Sequence, residues 1–155
     1  MSLSLFPFHY SESRMPLMDS KKGRLAMPLT SQDSIRELMT PTPITAAPDW
    51  TVGKVIDVML DRDVSTLLIV DLQGRMVGIV SESSLLAPAF DPQLRAHPIS
   101  LHMQRQVASV DVRETIEGLL ESFLLHRVRH LPVMENGQPI GVISRRDVLR
   151  SLMSR

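Results

Sequence analysis

Leu68-Ile-Val-Asp-Leu-Gln-Gly-Arg-Met-Val-Gly-Ile-Val-Ser81 lies over Leu131-Pro-Val-Met-Glu-Asn-Gly-Gln-Pro-Ile-Gly-Val-Ile-Ser144 at an offset of 63, without a gap. Five positions are identical in that stretch: Leu68/Leu131, Val70/Val133, Gly74/Gly137, Gly78/Gly141 and Ser81/Ser144. Upstream, Thr51–Met59 lies over Thr115–Phe123 at an offset of 64, which places a one-residue deletion in the connection between the two stretches. Self-similarity of this kind marks a duplicated structural unit.

Each copy reads in one order. A short extended piece comes first (Pro43 to Ala46; Val107 to Val110). A helix follows, with apolar residues at Val52, Val55, Ile56 and Met59 in one copy and Ile116, Leu119, Leu120 and Phe123 in the other. That i, i+3, i+4, i+7 spacing puts one apolar stripe on a helix. Two β-rich runs come next, Leu67–Val70 and Met76–Val80, then His130–Met134 and Ile140–Ile143, joined by turns at Asp71–Gly74 and Asn136-Gly137. A short helix closes each copy, opened by Ser81 or Ser144, a residue type that caps helix N-termini. A β-α-β-β-α unit of about 50 residues exposes too much surface to stand alone, so the two must pack together. The fold class expected is α/β (α+β), with two such units paired about a pseudo-two-fold axis. The division expected is residues 1–33 as a flexible or loosely docked arm, 34–90 as the first unit, 91–101 as linker and 102–155 as the second unit.

Composition narrows the chemistry. The apolar fraction of 43% suits a globular core, filled by aliphatics and ten Met, since aromatics are only 4%. Cysteine is absent, which excludes disulfides and thiolate sites and fits a reducing compartment. The start, Met1 to Tyr10, has no basic run and is broken by Pro7, a poor secretory signal. No apolar window approaches the roughly 18 residues of a membrane span. These features lead to the expectation of a soluble, cytoplasmic protein with no membrane insertion. Zero net charge and few aromatics argue against nucleic-acid binding. Charge is nonetheless uneven. Asp49, Asp57, Asp61, Asp63, Asp71 and Glu82 crowd the first copy, whereas Arg127, Arg129, Arg145, Arg146, Arg150 and Arg155 dominate the end of the second.

The pattern Met39-Thr-Pro-Thr-Pro-Ile-Thr45, Pro48-Asp-Trp-Thr-Val52, Leu68-Ile-Val-Asp, Gly74 and Val77-Gly-Ile-Val-Ser81 resembles a CBS domain. The second copy, ending Ile140-Gly-Val-Ile-Ser-Arg-Arg-Asp-Val-Leu149, is similar to one in its full form, and two in tandem resemble a Bateman module. The resemblance spans Ile35 to Met153 and implies a stand-alone CBS-domain protein that forms a disc-like homodimer. It also implies an adenosine-containing ligand (AMP, ADP, ATP or S-adenosylmethionine) in a cleft between units, and a regulated enzyme or transporter as partner. No cofactor is required for that role.

The same resemblance places the site. Asp147 would hold the ribose hydroxyls, with Ser144 and the helix start meeting the phosphate side. Arg129, His130 and Pro132, with Arg145 and Arg146, would stand near the phosphates, while Ile44, Thr45, Val64, Ser65 and Thr66 would wall the base. The chemistry is reasonable on its own terms. A carboxylate accepts two O–H bonds from a cis-diol, and arginine grips phosphate bidentately. Ser-x-x-Asp is equally close to a capping box, in which both side chains only satisfy backbone N–H groups. If the Asp147 side chain turns onto its own backbone, or protein fills the groove beside it, the sensing role expected of this site falls and a dimerisation block remains. In the first copy Ser84 stands where the resemblance puts aspartate, and Glu82 adds negative charge, so one competent site per chain is expected.

Metal binding has little support: His126 and His130 are split between helix and strand, and His9, His97 and His102 lie in loops without partners. The motifs of a serine-nucleophile elbow, a phosphate-binding loop and a zinc protease are all missing, so no enzyme activity is expected. The leading expectation is a nucleotide-sensing regulatory module that signals by conformational change. The alternative is a ligand-free scaffold for dimerisation or partner docking.

Overall fold

The computed structural model describes residues 34–153, so the expected arm of residues 1–33 lies outside the described residues. The elements run α1 (Ile35–Leu38), β1 (Thr40–Pro41), β2 (Thr45–Ala46), α2 (Val52–Asp61), β3 (Thr66–Val70), β4 (Met76–Ser81), α3 (Glu82–Phe90) and α4 (Pro92–Arg95). A 3-10 turn at Ile99–Leu101 leads into β5 (Val110–Asp111), α5 (Ile116–His126), β6 (His130–Glu135), β7 (Gln138–Ser144) and α6 (Arg145–Met153). The chain is thus a mixed α+β fold with two sheets, ordered β2-β3-β4 and β1-β7-β6-β5. In each copy a short strand runs parallel to the first strand of a hairpin: Thr45 beside Leu68, and Val110 beside Val133.

The helices form where the stripes and caps require. Thr51 Oγ1 accepts from Lys54 N, and Thr115 Oγ1 accepts from Gly118 N, so α2 and α5 begin on identical caps. Both end on a left-handed residue, Asp63 (φ 52°) and Arg127 (φ 53°), again 64 apart. Val52, Val55 and Met59 are buried against the first sheet, and Ile116, Leu119 and Phe123 against the second. Each such side chain contributes roughly 1.5–3 kcal/mol by leaving water. Leu120, assigned to the stripe from spacing, is instead 42% exposed.

Strand register corrects the internal alignment. Thr66 pairs with Ser81 and Ile69 with Gly78; His130 pairs with Ser144 and Val133 with Gly141. Equivalent residues are therefore 64 apart through the first hairpin strand and 63 apart only after it. The deleted residue lies in the hairpin turn, not between helix and strand. Copy two turns through Asn136 (φ 51°) and Gly137 (φ 79°), the two-residue type I′ turn that Asn-Gly favours. Copy one needs a longer loop, in which Asp71 Oδ1 accepts from Gln73 N and Arg75 N and Gly74 takes φ 76°.

The sequence division at 34–90, 91–101 and 102–155 is crossed by the packing in both directions. Ile35 and Met39 fall in the first unit of that division yet lie in the core built by α5, β6 and β7, and β1 adds an antiparallel edge to β7. Reciprocally, Ile99 is buried in the first core, and Gln104 N and O both bond Ile79 at 2.9 Å on the outer edge of β4. Pro88 is a buried residue inside α3, and α4, within the expected linker, continues the packing against α2.

Candidate ligand cleft

Alternation along β3 and β6 sends Leu67 and Ile69, like Leu131 and Val133, into the helix-facing cores. Thr66 and His130 face the other way and meet: Thr66 Oγ1 lies 3.3 Å from His130 Nδ1. The register makes these the same position of the two copies, so the copies meet here through equivalent residues. Leu68 and its counterpart Pro132 are buried at the next position on the strands. Pro132, assigned to the ligand site from resemblance, does not line the cavity described next.

A cavity of about 570 Å³ opens beside the Thr66–His130 contact. The first copy supplies Ser65, Thr66 and the run Ile79–Ser84; the second supplies Val107, Ala108, Val128, Arg129 and His130; His102, Met103 and Gln104 close it. One wall is apolar (Ile79, Val80, Met103, Val107, Ala108, Val128), and the rim is polar or charged. A purine needs the first and a sugar with its substituent needs the second. One backbone acceptor at this wall is left over by the sequence. In copy one Leu68 N donates to Ile44 O at 3.2 Å. Its counterpart Pro132 has no N–H, so the Ala108 carbonyl goes without that partner.

The structure divides the residues assigned from sequence. Ser65, Thr66, Arg129 and His130 line the cavity; Ile44, Thr45, Val64, Pro132, Ser144, Arg145, Arg146 and Asp147 do not. The cavity lies at the start of α3, whereas the motif reading placed the ligand at the start of α6. There Asp147 Oδ2 accepts from Ser144 N at 2.8 Å and from Ser144 Oγ at 2.6 Å, and Asp147 N donates to Ser144 Oγ at 3.1 Å. This is a capping box, the outcome expected to remove a sensing site built on this carboxylate, so the α3 cavity stands on other residues. Asp147 Oδ1 stands 3.8 Å from Arg150 Nη1. Arg145 reaches back, its Nη2 donating to Phe123 O at 3.2 Å near the end of α5.

At the start of α3 Ser84 closes back on Ser81 as well, its Oγ donating to Ser81 O at 2.7 Å. Ser81 N donates to Ser84 Oγ at 3.2 Å, and Ser81 Oγ lies 2.9 Å from Ser83 Oγ. Ser83 and Ser84 are small where the other copy carries Arg146 and Asp147. The walls that the motif missed (Ala108, Val128, Met103) are the residues 64 beyond Ile44, Val64 and Met39, so the repeat itself carried the signal.

His130 is half-buried, and burial holds its imidazole below the ordinary value. Asp147 and Glu82 pull in the opposite direction, while Arg129 acts with burial. His97 and His102 do have partners, namely each other: His97 Nδ1 and His102 Nε2 are 3.4 Å apart with stacked rings. His9 lies outside the described residues. Among the described residues no three His, Cys, Asp or Glu gather as a metal site. Among them, too, no helix is long and apolar enough to cross a membrane.

The sequence model of the CBS domain matches residues 35–88 and 99–154. A 17.7 kDa uncharacterized protein of Acidianus ambivalens is 26% identical over 120 residues, covering 77% of this chain and 73% of that protein. Inosine-5′-monophosphate dehydrogenase of Methanocaldococcus jannaschii is 32% identical over 108 residues, 69% of this chain but only 21% of the enzyme. Among solved structures, CBSX2 in complex with AMP has a TM-score of 0.70 at 23% identity, covering 78% of this chain and 96% of that one. The CBS domain pair of MJ0100 from a complex with 5′-methylthioadenosine and S-adenosyl-L-methionine has a TM-score of 0.70 at 20% identity, covering 79% and 97%. These likenesses establish the fold.

Proposed function

The chain belongs to the CBS-domain family, with two copies in tandem, and from that premise we propose that it is a regulatory module binding an adenosine-containing ligand in the cleft at the start of α3. The carrying observation is the cavity of about 570 Å³ walled by both copies. Its volume lies in the range of small-molecule sites, roughly 300–1,000 Å³. The purine would lie against Val107, Ala108 and Val128, where the Ala108 carbonyl is an acceptor for an exocyclic amine. Ser65, Thr66, Ser81 and Ser84 would face the ribose, with Arg129 and His130 at the second copy's edge. Solved CBS pairs with AMP, 5′-methylthioadenosine or S-adenosyl-L-methionine support the ligand class.

A ligand there touches both units and biases their relative arrangement, which is how such a module would signal. A partner enzyme or transporter would read that change. The protein has no catalytic role in this reading and works in the cytoplasm. It works as a homodimer, to which exposed Leu124, Leu125 and Leu149 on α5 and α6 are suited. The second reading, a ligand-free scaffold, draws on the closed capping box at Asp147.

Titration calorimetry with AMP, ADP, ATP, S-adenosylmethionine and 5′-methylthioadenosine tests the proposal. Ala108→Phe, which fills the base wall, is expected to remove binding while the protein stays folded. Silence from all five compounds, or full affinity in the filled variant, overturns it.

A further inference from the structure

Glu82 and Arg145 hold one position in the two copies. Glu82 N donates to Ser65 O at 3.0 Å, and Arg145 N donates to Arg129 O at 3.2 Å, so equivalent backbone bonds fix both residues at the first turn of their helices. The side chains there carry opposite charge. The first turn of α3 is Glu82-Ser83-Ser84; that of α6 is Arg145-Arg146-Asp147. Glu82 and Arg129 both line the α3 cavity, and both act electrostatically on His130, which lines it too. Apart from the titratable His102 and His130, the rim thus carries one anion and one cation.

We propose that Glu82 makes the α3 cleft select an adenosyl thioether or sulfonium over a nucleoside phosphate. The inference rests on the adenosine-binding reading above and adds the chemistry of the 5′ substituent. With the base on the apolar wall, that substituent points to the rim. A phosphate there brings about two negative charges against Glu82, with Arg129 as the compensating guanidinium. A neutral thioether meets no such opposition. A sulfonium with an amino-acid tail complements both rim charges, its cationic groups toward Glu82 and its carboxylate toward Arg129. Glu82 and Arg129 are exposed, so nearby like charges order ligands modestly here, and salt weakens the effect.

The test compares 5′-methylthioadenosine, S-adenosylmethionine and AMP by calorimetry at low salt in the intact chain, with Glu82→Arg and Glu82→Gln. The filled Ala108→Phe protein serves as the blank for binding elsewhere. The expected result is thioether and sulfonium binding about tenfold tighter than AMP, a margin that narrows with added salt. Glu82→Arg, copying the other repeat, should raise AMP affinity about tenfold and change methylthioadenosine by less than about twofold. Glu82→Gln should move AMP in the same direction by less. AMP binding at least as tightly as methylthioadenosine in the unaltered protein overturns the inference, as does a ratio that neither substitution moves. Those outcomes leave the adenosine-binding reading standing, whereas no binding by any compound removes both.

Discussion

Thr66 Oγ1 and His130 Nδ1, 3.3 Å apart, belong to one position of the repeat, so the two units touch through a pair that sequence divergence has made unequal. His130 lines the cavity and feels charge from both helix starts, Asp147 on α6 and Glu82 on α3.

That contact has a pH signature. Burial lowers the folded-state pKa of His130 below its ordinary 6.5, so the unfolded chain takes up this proton more readily. The stability tied to the neutral ring is full above pH 6.5 and is lost as pH falls through the folded value. Urea midpoints between pH 7.5 and 5 are expected to fall, and His130→Gln should flatten the slope (roughly this range brackets an ordinary histidine). Equal slopes in both proteins would show that other groups govern the acid limb.

The two close-approach glycines should differ in tolerance. A Cβ at Gly141 would stand 2.8 Å from Thr40 O and 2.6 Å from Met39 Sδ. At Gly78 the nearest backbone atom, Gln104 O, is 3.1 Å away, with Met103 Sδ at 2.5 Å. Methionine side chains can move. The Thr40 carbonyl belongs to a paired strand, whereas Gln104 forms an isolated bridge. Gly141→Ala is expected to cost about 1–3 kcal/mol, as overpacking does, and Gly78→Ala less. Chemical denaturation measures both, and a larger loss at Gly78 would contradict this account.

The repeat was legible because two copies of one packing problem keep its geometric solutions: glycines under a crossing strand, threonine caps, and stripes at helical spacing. The slip in register had a physical origin as well. An offset of 63 matched Leu68 with Leu131 and Val70 with Val133, an accident of a run, Leu67 to Val70, whose members are interchangeable in composition. One residue of slip turns every side chain to the opposite face, which composition alone does not reveal. The turns held the corrective signal, because Asn136-Gly137 closes a two-residue hairpin and Asp71–Gly74 does not. The exchange of Ile35 and Ile99 between cores was invisible, because nothing local distinguishes an apolar residue that packs on its own copy from one that packs on the other. The cleft was half legible. Motif reading rewards side chains able to grip a ligand, such as Asp147 and Arg146, whereas space depends on bulk, and the small Ser83 and Ser84 leave it.

Asp147 separates these two ways of seeing the site. Resemblance makes its carboxylate a ribose ligand whose loss abolishes binding, whereas the observed hydrogen bonds spend one oxygen on Ser144 N and Oγ. If the capping box is its main work, Asp147→Ala lowers stability by about 0.5–2 kcal/mol, the usual worth of an N-terminal cap. Adenosyl affinity in the α3 cleft then stays within about twofold, since that cavity is lined by Ser81 to Ser84 and not by α6. Denaturation and calorimetry on one preparation give both numbers. A protein of unchanged stability that no longer binds would move the ligand to the start of α6 and restore the carboxylate to the sugar.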